Sequence, residues 1–410
     1  MKDHGRRIIF VNRFYHPDHS ATAQILTDLA EALAAAGWAV TVVTSRLCYD
    51  DPSVRLADHD ECGGVAIHRV PTTSLGQMGV AGRLVDYCSF YVAALVALLR
   101  HARRGDIIVA KTDPPLMSVI AALVARVRGA RLVNWLQDLY PEVAGELGVA
   151  AMRGPAGRAL RLLRNASLRS AAINVVIGER MAERLVAEGI AANAIAVLPN
   201  WADDEVIRPV ARAEVSLRRI WGLDHQFVVG YSGNLGRAHD SDTIVKAALL
   251  LRERSDIVFL MIGGGHESAK LATRVQAAGL GDRFQFQPYQ PRDLLVQSLA
   301  VADVHWLSLY PALEGLIVPS KFYGIAAAGR PVIAITDPDG EIARIVDREG
   351  CGIVVAPGEG AKLARAIEAL AGDPPRLAAM GRAGRALIDR DNGRSASLAR
   401  WSALLDSLPT

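Results

Sequence analysis

The feature that most constrains this chain is a repeated alternation of short apolar runs with longer amphipathic segments. Runs of this length, rich in aliphatic residues, are typical of strands covered on both faces of a parallel sheet. In the first half they lie at 7–12, 38–45, 65–70, 106–112, 131–138, 172–178 and 194–200. The series restarts with runs at 227–233, 257–263, 284–289, 304–310, 330–336 and 352–356. Two such series predict an α/β protein with two Rossmann-like parallel-sheet domains.

Turn residues and acids interrupt the alternation over 199–210. We therefore expect an N-terminal domain over 1–205 and a C-terminal domain over 206–392, followed by a helical segment at 393–410 that could cross back to the first domain. Open parallel sheets bind ligands at the carboxyl ends of their strands, so a cleft between two facing sheets is the expected ligand site.

Composition narrows the class of protein. A chain with 51% hydrophobic and 22% charged residues is typical of a folded globular protein, and a net charge of +3 is too small to indicate nucleic acid. Only four apolar residues follow the basic pair near the start, too few for a secretion signal. The apolar runs 90–99 and 116–125 are about half a bilayer span, so we interpret them as buried helices and expect no transmembrane helix. Four cysteines without C-x-x-C spacing favour a reducing cytosol.

A glycine-containing loop follows the first strand of the second domain, in the sequence GYSGNLGRAHD. Gly233 and Gly236 permit positive φ and close backbone approach, and the amides of the following helix favour an anion. Arg237 and His239 can add donors to phosphate oxygens. The alternative is a tight turn with a solvated Arg237. Three further glycines at 263–265 are interpreted as packing residues.

The stretch EGLIVPSK places Glu314 and Lys321 on either side of a proline at a strand-to-helix junction. A carboxylate there can accept hydrogen bonds from sugar hydroxyls, and a lysine can neutralise a leaving diphosphate. Because buried unpaired charges are costly, the two side chains either face a ligand or form a salt bridge with each other.

The first domain has two comparable strand ends. After the first strand, His16 lies in a loop, and Ser20 or Thr22 can cap a helix that begins near Ala21. Asp138 ends another strand, where a carboxylate can orient or deprotonate a hydroxyl. A loop histidine and an Asx turn are the structural alternatives for His16 and Asp138.

The segment 155–172 carries four arginines and no acid. On a helix, Arg158, Arg161, Arg164 and Arg169 fall in one arc, with leucines and alanines opposite. This pattern favours a basic helix facing anionic lipid headgroups. A core-packed helix with a solvated basic face is the alternative.

In combination, these motifs resemble the GT-B glycosyltransferases of family 4, particularly the bacterial fucosyltransferase-like and N-acetylfucosaminyltransferase-like enzymes of capsule, colanic acid and O-antigen assembly. The motifs that carry the resemblance span nearly the whole chain in family order: FYHPDHSATAQILTDLAEALAAAGWAVTVVTS, WLQDLYPE, VLPNWAD, GYSGNLGRAHD, FLMIGGG and GLIVPSKFYGIAAAGRPVIAI. The resemblance implies a UDP- or GDP-sugar donor bound mainly by the second domain, an acceptor bound by the first, transfer with retention, and no required metal or other cofactor.

Carried over by position, the resemblance implies a set of site residues. The expected catalytic residues are Asp138, Arg237, Glu314 and Lys321. The expected donor-binding residues are Gly233, Asn234, Leu235, Gly236, Arg237, His239, Pro288, Tyr289, Ser320 and Lys321, with Pro288 and Tyr289 near the base. The expected acceptor-binding residues are His16, Ser20 and Thr22.

The chain departs from the family pattern in two places. Ser20-Ala21 stands where the family has a glycine pair before the first helix. The family also has a second glutamate after the first, and that position is Phe322 or, in another alignment, Gly324. Neither supplies a carboxylate for the binding of ribose by two glutamates.

The sequence thus predicts a cytoplasmic enzyme, peripheral to the inner face of the cell membrane, that transfers a hexose or deoxyhexose to a polyprenyl-diphosphate-linked glycan. A nucleotide-sugar 2-epimerase of the same fold is one alternative. A non-catalytic, membrane-bound scaffold derived from a transferase is another.

Overall fold

The computed structural model describes residues 6–18, 20–48, 51 and 53–409. The chain divides into two compact units. Unit 1 is formed by the chain up to Pro199 together with the residues from Leu398 onward, and unit 2 comprises Asn200–Ser397. The sequence pattern placed this division at 205.

Unit 1 is built on an eight-stranded sheet in the order β3-β4-β2-β1-β5-β6-β7-β8. Its strands are β1 (Arg7–Val11), β2 (Ala39–Ser45), β3 (His59–Cys62), β4 (Val65–Val70), β5 (Ile107–Lys111), β6 (Arg131–Leu136), β7 (Ile173–Val176) and β8 (Ile195–Val197). All described pairs are parallel except β3 with β4. The sequence pattern missed β3 because this edge strand, HDEC, is polar and mostly exposed.

Six helices follow the strands of unit 1. They are α1 (Ala21–Ala35), α2 (Val80–His101), α3 (Met117–Arg128), α4 (Glu142–Glu146), α5 (Pro155–Ser170) and α6 (Glu179–Ala187). Helices α2 and α3 cover one face of the sheet, where Phe90, Ala94 and Ala121 belong to a buried cluster with Ile9 and Ile108. This burial of apolar area is the main stabilising contribution to the unit.

Helix α2 combines a buried side with exposed apolar residues. Phe90 and Leu98 are fully buried, but Val92 and Val96 are 65% and 40% exposed. Among the described residues, one helical stretch, 81–101, is long and apolar enough by length and composition to cross a membrane, with 33% of its most apolar window buried. The prediction that this apolar run is a wholly buried helix was therefore wrong for its outer side.

Unit 2 is built on a six-stranded parallel sheet in the order β11-β10-β9-β12-β13-β14. Its strands are β9 (Phe227–Asn234), β10 (Ile257–Gly264), β11 (Phe284–Gln287), β12 (Val304–Ser308), β13 (Val332–Ile335) and β14 (Gly352–Val355). Its helices are α7 (Ser216–Ile220), α8 (Asp242–Leu250), α9 (Ser268–Ala277), α10 (Leu295–Ala300), α11 (Lys321–Ala327), α12 (Glu341–Glu349), α13 (Gly360–Ala371) and α14 (Pro374–Leu387). The prediction of two Rossmann-like sheets is confirmed.

The last helix, α15 (Arg394–Ser407), begins in unit 2 and continues into unit 1. Within unit 1, the ring of Trp401 lies 4.5 Å from that of Trp135 on β6, and both indoles are buried. Large aromatic side chains contribute much of the packing free energy of a core. The final turns of the chain are therefore an integral layer of unit 1.

The prediction of four outward-facing arginines on 155–172 was wrong for one of them. Arg164 of α5 is buried, and its guanidinium pairs with the carboxylates of Glu142, at 2.7 Å, and Glu188. Conversely, Leu162 and Leu163, which the pattern assigned to the packed side, are 68% and 52% exposed. A buried arginine is tolerated only with such partners, and the sequence pattern gave no sign of them because both glutamates lie outside the helix.

Candidate active site

The glycine loop after β9 presents backbone rather than side chains. Gly233 has φ of +122°, in the region that favours glycine, and a Cβ added to it would lie 3.9 Å from Lys321 Cε. Gly236 has no such φ, so the predicted positive φ was wrong there. Leu235 is buried in the core of unit 2 and is 1% exposed. Its side chain is therefore a packing element rather than a ligand contact.

The predicted anion site at the N-terminus of α8 is already occupied by a carboxylate. Asp240 accepts hydrogen bonds from the amides of Asp242 (2.8 Å) and Thr243 (3.3 Å). The amides of Gly236, Arg237 and Ala238 donate to no other described residue. Donors to a phosphate are therefore expected from the 236–238 loop and not from the helix. Arg237 is exposed and pairs with no described residue.

Lys321 is the first residue of α11, and its ammonium reaches back to the end of β9. Its Nζ contacts the hydroxyl of Tyr231, lies 4.0 Å from the centre of that ring, and is 3.4 Å from the carbonyl oxygen of Asn234. Burial lowers the pKa of Lys321 to about 7, and no carboxylate in the described part of the chain offsets this shift. Ser320 precedes it at the N-cap, without a side-chain capping bond. A lysine in these surroundings lacks a counterion.

His239 lies near this lysine but faces a carbonyl group. Its Nδ1 is 2.6 Å from the carbonyl oxygen of Ser308, so Nδ1 carries the proton and donates it. Burial and the charge of Lys321 lower the pKa of His239 to about 3. The ring is thus neutral at neutral pH, and its Nε2 is an acceptor. In this state the ring N–H of His239 is directed at Ser308 and not at a phosphate.

Glu314 does not form the salt bridge with Lys321 that was one of the two alternatives considered from the sequence. Among the described residues no ion pair joins it to Lys321. Instead its carboxylate accepts from the Thr336 hydroxyl and, at 3.1 Å, from the amide of Glu341 at the start of α12. Burial raises its pKa. The carboxylate therefore holds the loop after β13, and its remaining lone pairs can still accept from a ligand hydroxyl.

The glycines at the end of β10 allow two neighbouring chains to approach closely. A Cβ on Gly263 would lie 2.4 Å from the carbonyl oxygen of Gly233 and 3.2 Å from the ring of Tyr289. A Cβ on Gly265 would lie 2.2 Å from Asn234 Oδ1. These contacts support the packing interpretation. They also bring Tyr289, which is 60% exposed and follows exposed Pro288, beside the loop at Gly233.

In unit 1 the ends of β5 and β6 hold a second charged cluster. Lys111 is 1% exposed, its Nζ donates to the Thr22 carbonyl at 2.9 Å, and it lies 3.8 Å from the centre of the Trp135 ring. Burial lowers its pKa to about 7, and the carboxylates of Asp113 and Asp138 oppose that shift. Burial raises the pKa of both aspartates to about 6. Neither carboxylate accepts a hydrogen bond from another described residue.

The three residues predicted to bind the acceptor have separate local roles. Ser20 caps α1, and its hydroxyl accepts from the amide of Ala23 at 3.3 Å. Of the two capping candidates, Ser20 and Thr22, Ser20 is therefore the cap. Thr22 contributes its carbonyl to Lys111. The carbonyl of His16 accepts from Arg69 at 3.0 Å. Only Thr22 thus joins the cluster that contains Asp138.

Sequence reasoning missed Tyr231, Lys111 and Asp113. Tyr231 appeared to be an ordinary strand residue, because only the fold brings its hydroxyl to Lys321. The signal for the other two was K-T-D-P-P directly after a buried strand, where a lysine followed by an aspartate is unusual in an apolar setting.

Two Rossmann-like sheets in one chain, each with charged groups at the carboxyl ends of its strands, are the architecture of the GT-B fold. Two family models match: a glycosyl transferase 4-like domain over residues 20–201 and glycosyl transferases group 1 over residues 216–387. The chain is 30% identical over 317 residues to the probable glycosyltransferase WbjE of Pseudomonas aeruginosa, covering 76% of this chain and 77% of that protein. It belongs to the group 1 glycosyltransferases.

Two other comparisons agree. The chain is 27% identical to the putative colanic acid biosynthesis glycosyl transferase WcaI of Escherichia coli, over 84% of this chain and 86% of that protein. The Anabaena protein HepE, solved in complex with UDP-glucose, has the same fold, with a TM-score of 0.74, 17% identity, and coverage of 98% of this chain and 100% of that one. The chain is therefore a retaining glycosyltransferase that uses a nucleotide-sugar donor, with relatives in polysaccharide synthesis.

Proposed function

We propose that unit 2 binds the diphosphate of a UDP- or GDP-sugar, and that the donated group is a hexose or deoxyhexose such as fucose or N-acetylfucosamine. The observation that carries this proposal is Lys321, a partly buried lysine that has no carboxylate partner among the described residues. A diphosphate would be its counterion. Tyr289, beside Gly233, would face the base, and Glu314 would add an acceptor for a sugar or ribose hydroxyl.

The proposed reaction is a transfer with retention of anomeric configuration. The bond between the anomeric carbon and the diphosphate oxygen breaks while the acceptor hydroxyl oxygen attacks on the same face of the sugar. The hydroxyl proton leaves with the diphosphate, and the ammonium of Lys321, with Arg237 and the 236–238 amides, stabilises the charge that develops there. Asp138 of unit 1 would orient the acceptor hydroxyl.

Thermal-shift measurements with UDP-, GDP- and dTDP-sugars test the donor assignment. Nucleotide sugars with one of these bases should raise the melting temperature of the wild type, because a ligand that binds only the folded state stabilises it. Lys321→Met should lose most of that shift, whereas Lys362→Met, at an exposed lysine paired with Glu359, should keep it. Equal shifts in both variants would contradict the role of Lys321. Isomerised donor without acceptor would indicate an epimerase.

We further propose that the acceptor is a polyprenyl-diphosphate-linked glycan and that the enzyme is a peripheral protein of the cytoplasmic membrane face. Exposed leucines and valines on two neighbouring helices support this proposal. Leu123 and Val127 of α3 and Leu162 and Leu163 of α5 are between 51% and 68% exposed. Exposed arginines lie on the same helices, at Arg126, Arg128 and Arg158. Apolar side chains flanked by cationic ones suit an anionic bilayer surface.

Vesicle sedimentation tests the membrane proposal. The wild type should bind vesicles containing phosphatidylglycerol more strongly at low than at high salt. Replacing Leu162 and Leu163 with serine should weaken binding, whereas Leu250→Ser, at a 62% exposed position of unit 2, should not. Equal binding by all three proteins would refute the proposed contact.

A further inference from the structure

The strand order of unit 1 reverses between β1 and β5. Strands β2, β4 and β3 continue the sheet on one side of this point, and β6, β7 and β8 continue it on the other. In open α/β sheets, ligands bind outside the carboxyl ends of the strands at such a switch point. The residues that follow β1, β5 and β6 therefore lie where this unit is expected to bind its substrate.

Two carboxylates at this edge of the sheet have no donor of their own. Asp113 follows β5 and Asp138 follows β6, and these parallel neighbours run about 4.8 Å apart. Both side chains are partly buried, so part of each remains open to a ligand. Neither carboxylate accepts a hydrogen bond from another described residue. Each can therefore accept hydrogen bonds from the hydroxyl groups of a bound molecule.

The cations beside these carboxylates already have other partners. The guanidinium of Arg13, which follows β1, pairs with Asp86 at 3.7 Å. The ammonium of Lys111 donates to a backbone carbonyl at 2.9 Å. Among the described residues no ion pair joins either cation to Asp113 or Asp138. With Arg13 neutralised by Asp86, two carboxylates face one ammonium, and the remaining negative charge disfavours an anionic ligand.

Two phenol groups lie within electrostatic range of the same carboxylates. Burial, and then the charge of Asp113, raises the pKa of Tyr87 on α2. Burial, and then Asp138, Tyr87 and Asp113, raise the pKa of Tyr140. Both rings are partly buried, and neither hydroxyl is hydrogen bonded to another described residue. Neutral phenols of this kind can pack an apolar ring against a sugar and offer a hydroxyl to its oxygens.

We propose that Asp113 is a second acceptor-binding residue, which accepts a hydrogen bond from the hydroxyl next to the one that Asp138 orients. Tyr87 and Tyr140 contact the same sugar ring. The inference rests on the proposed assignment of the acceptor to unit 1 and names the chemical class of the acceptor sugar. That sugar is a neutral pyranose with two adjacent hydroxyl groups, because the two carboxylates of the protein repel a uronic acid.

Saturation-transfer NMR titrations with octyl β-glycosides below their micellar concentrations test this site. The probes are the glycosides of glucose, galactose and mannose and the matching uronides. At pH 7.5 the wild type should bind at least one neutral glycoside about tenfold or more tightly than its own uronide. Asp113→Asn should weaken binding of that glycoside about tenfold, because a neutral amide oxygen accepts a weaker hydrogen bond than a carboxylate. It should also reduce the preference over the uronide.

Matched variants separate this role from a structural one. Asp58→Asn, at a half-exposed aspartate that precedes the edge strand β3 and pairs with Arg46, should bind the glycosides like the wild type. Asp113→Asn should stay folded in urea titrations, since it no longer buries a charge. Its donor-induced thermal shift should be unchanged, so a failure of the donor proposal would be seen separately.

Three results would overturn the proposal: no binding of any neutral glycoside, equal affinity for a glycoside and its uronide, or wild-type binding by Asp113→Asn. Asp138→Asn distinguishes the last result from a failure of the acceptor assignment. If glycoside binding is weakened in Asp138→Asn and kept in Asp113→Asn, the acceptor belongs to unit 1 but Asp113 does not bind it. If both variants bind like the wild type, the acceptor assignment itself is wrong.

Discussion

Each unit of this enzyme places one lysine against an aromatic ring at the carboxyl end of its sheet, but the two lysines differ in the anions that face them. Lys111 lies over Trp135 in unit 1, and Lys321 lies over Tyr231 in unit 2. Burial lowers both pKa values to about 7. Lys111 faces two aspartates of its own unit, whereas no carboxylate of the described residues acts on Lys321.

The charge of Lys111 is balanced by carboxylates of its own unit, whereas the charge of Lys321 requires an anion from a ligand. In unit 1 the cation and the two carboxylates make a self-contained cluster that can position a neutral hydroxyl. In unit 2 the cation and the free loop amides make an incomplete site, which an anion completes. The donor and acceptor roles proposed for the two units follow from this contrast.

The largest effect is expected when the unbalanced lysine is removed. Lys321→Met should lower kcat by about 100-fold or more, the usual cost of losing one donor to a developing anion. Stability should not fall, since the variant no longer buries a charge. Turnover with the best donor from the thermal-shift panel checks this. Wild-type turnover in Lys321→Met would mean that the lysine is structural.

The next largest effect concerns the balanced cluster. Asp138→Asn should reduce transfer to the acceptor about tenfold to 100-fold, within the range for loss of acid–base or orienting groups. Hydrolysis of the donor by water and the donor-induced thermal shift should be unchanged. If donor binding falls together with transfer, the assignment of the two units to donor and acceptor is wrong.

Features that depend on residues close together in the chain were predicted from the sequence, whereas features that depend on distant residues were not. The two sheets follow from local periodicity, so thirteen of fourteen strands have a counterpart in the apolar runs. Lys321 was found because its motif lies within one loop. Leu235 was misassigned because position in a motif does not reveal whether a side chain turns inward.

Long-range partners account for the remaining errors. The helical pattern placed Arg164 among the lipid-facing arginines of α5, but in the folded chain it pairs with Glu142 and Glu188. The salt bridge considered between Glu314 and Lys321 is absent among the described residues, and Glu314 instead accepts hydrogen bonds from Thr336 and the amide of Glu341, more than twenty residues away in the chain. His239 was predicted to donate to a phosphate, but its Nδ1–H donates to the carbonyl of Ser308. Such contacts depend on tertiary geometry that periodicity and spacing do not encode.

A smaller effect is expected on stability in unit 1. Burial raises the pKa of Asp113 to about 6, so the folded state binds a proton that the unfolded state releases between about pH 4 and 6. Wild-type stability should therefore fall as pH rises through that window. Asp113→Asn cannot ionise and should gain about 1–3 kcal/mol relative to the wild type between pH 4.5 and 7.5. Urea unfolding at both pH values measures this, and an unchanged difference would contradict the raised pKa.

The smallest effect is a pH dependence of donor affinity in unit 2. Without donor, Lys321 has a pKa of about 7, and a bound diphosphate favours its ammonium form. The affinity for the donor should therefore be highest below pH 7, and above pH 7 donor binding should be accompanied by uptake of a proton. The Kd for the donor should rise by up to about tenfold from pH 8 to 9 in the wild type. Lys321→Met should bind weakly with a flat profile, whereas Lys111→Met should keep the wild-type slope. If the slope of Kd with pH is lost in Lys111→Met and kept in Lys321→Met, the contrast between the two lysines is reversed. The group that titrates on donor binding would then be the lysine that unit 1 already balances.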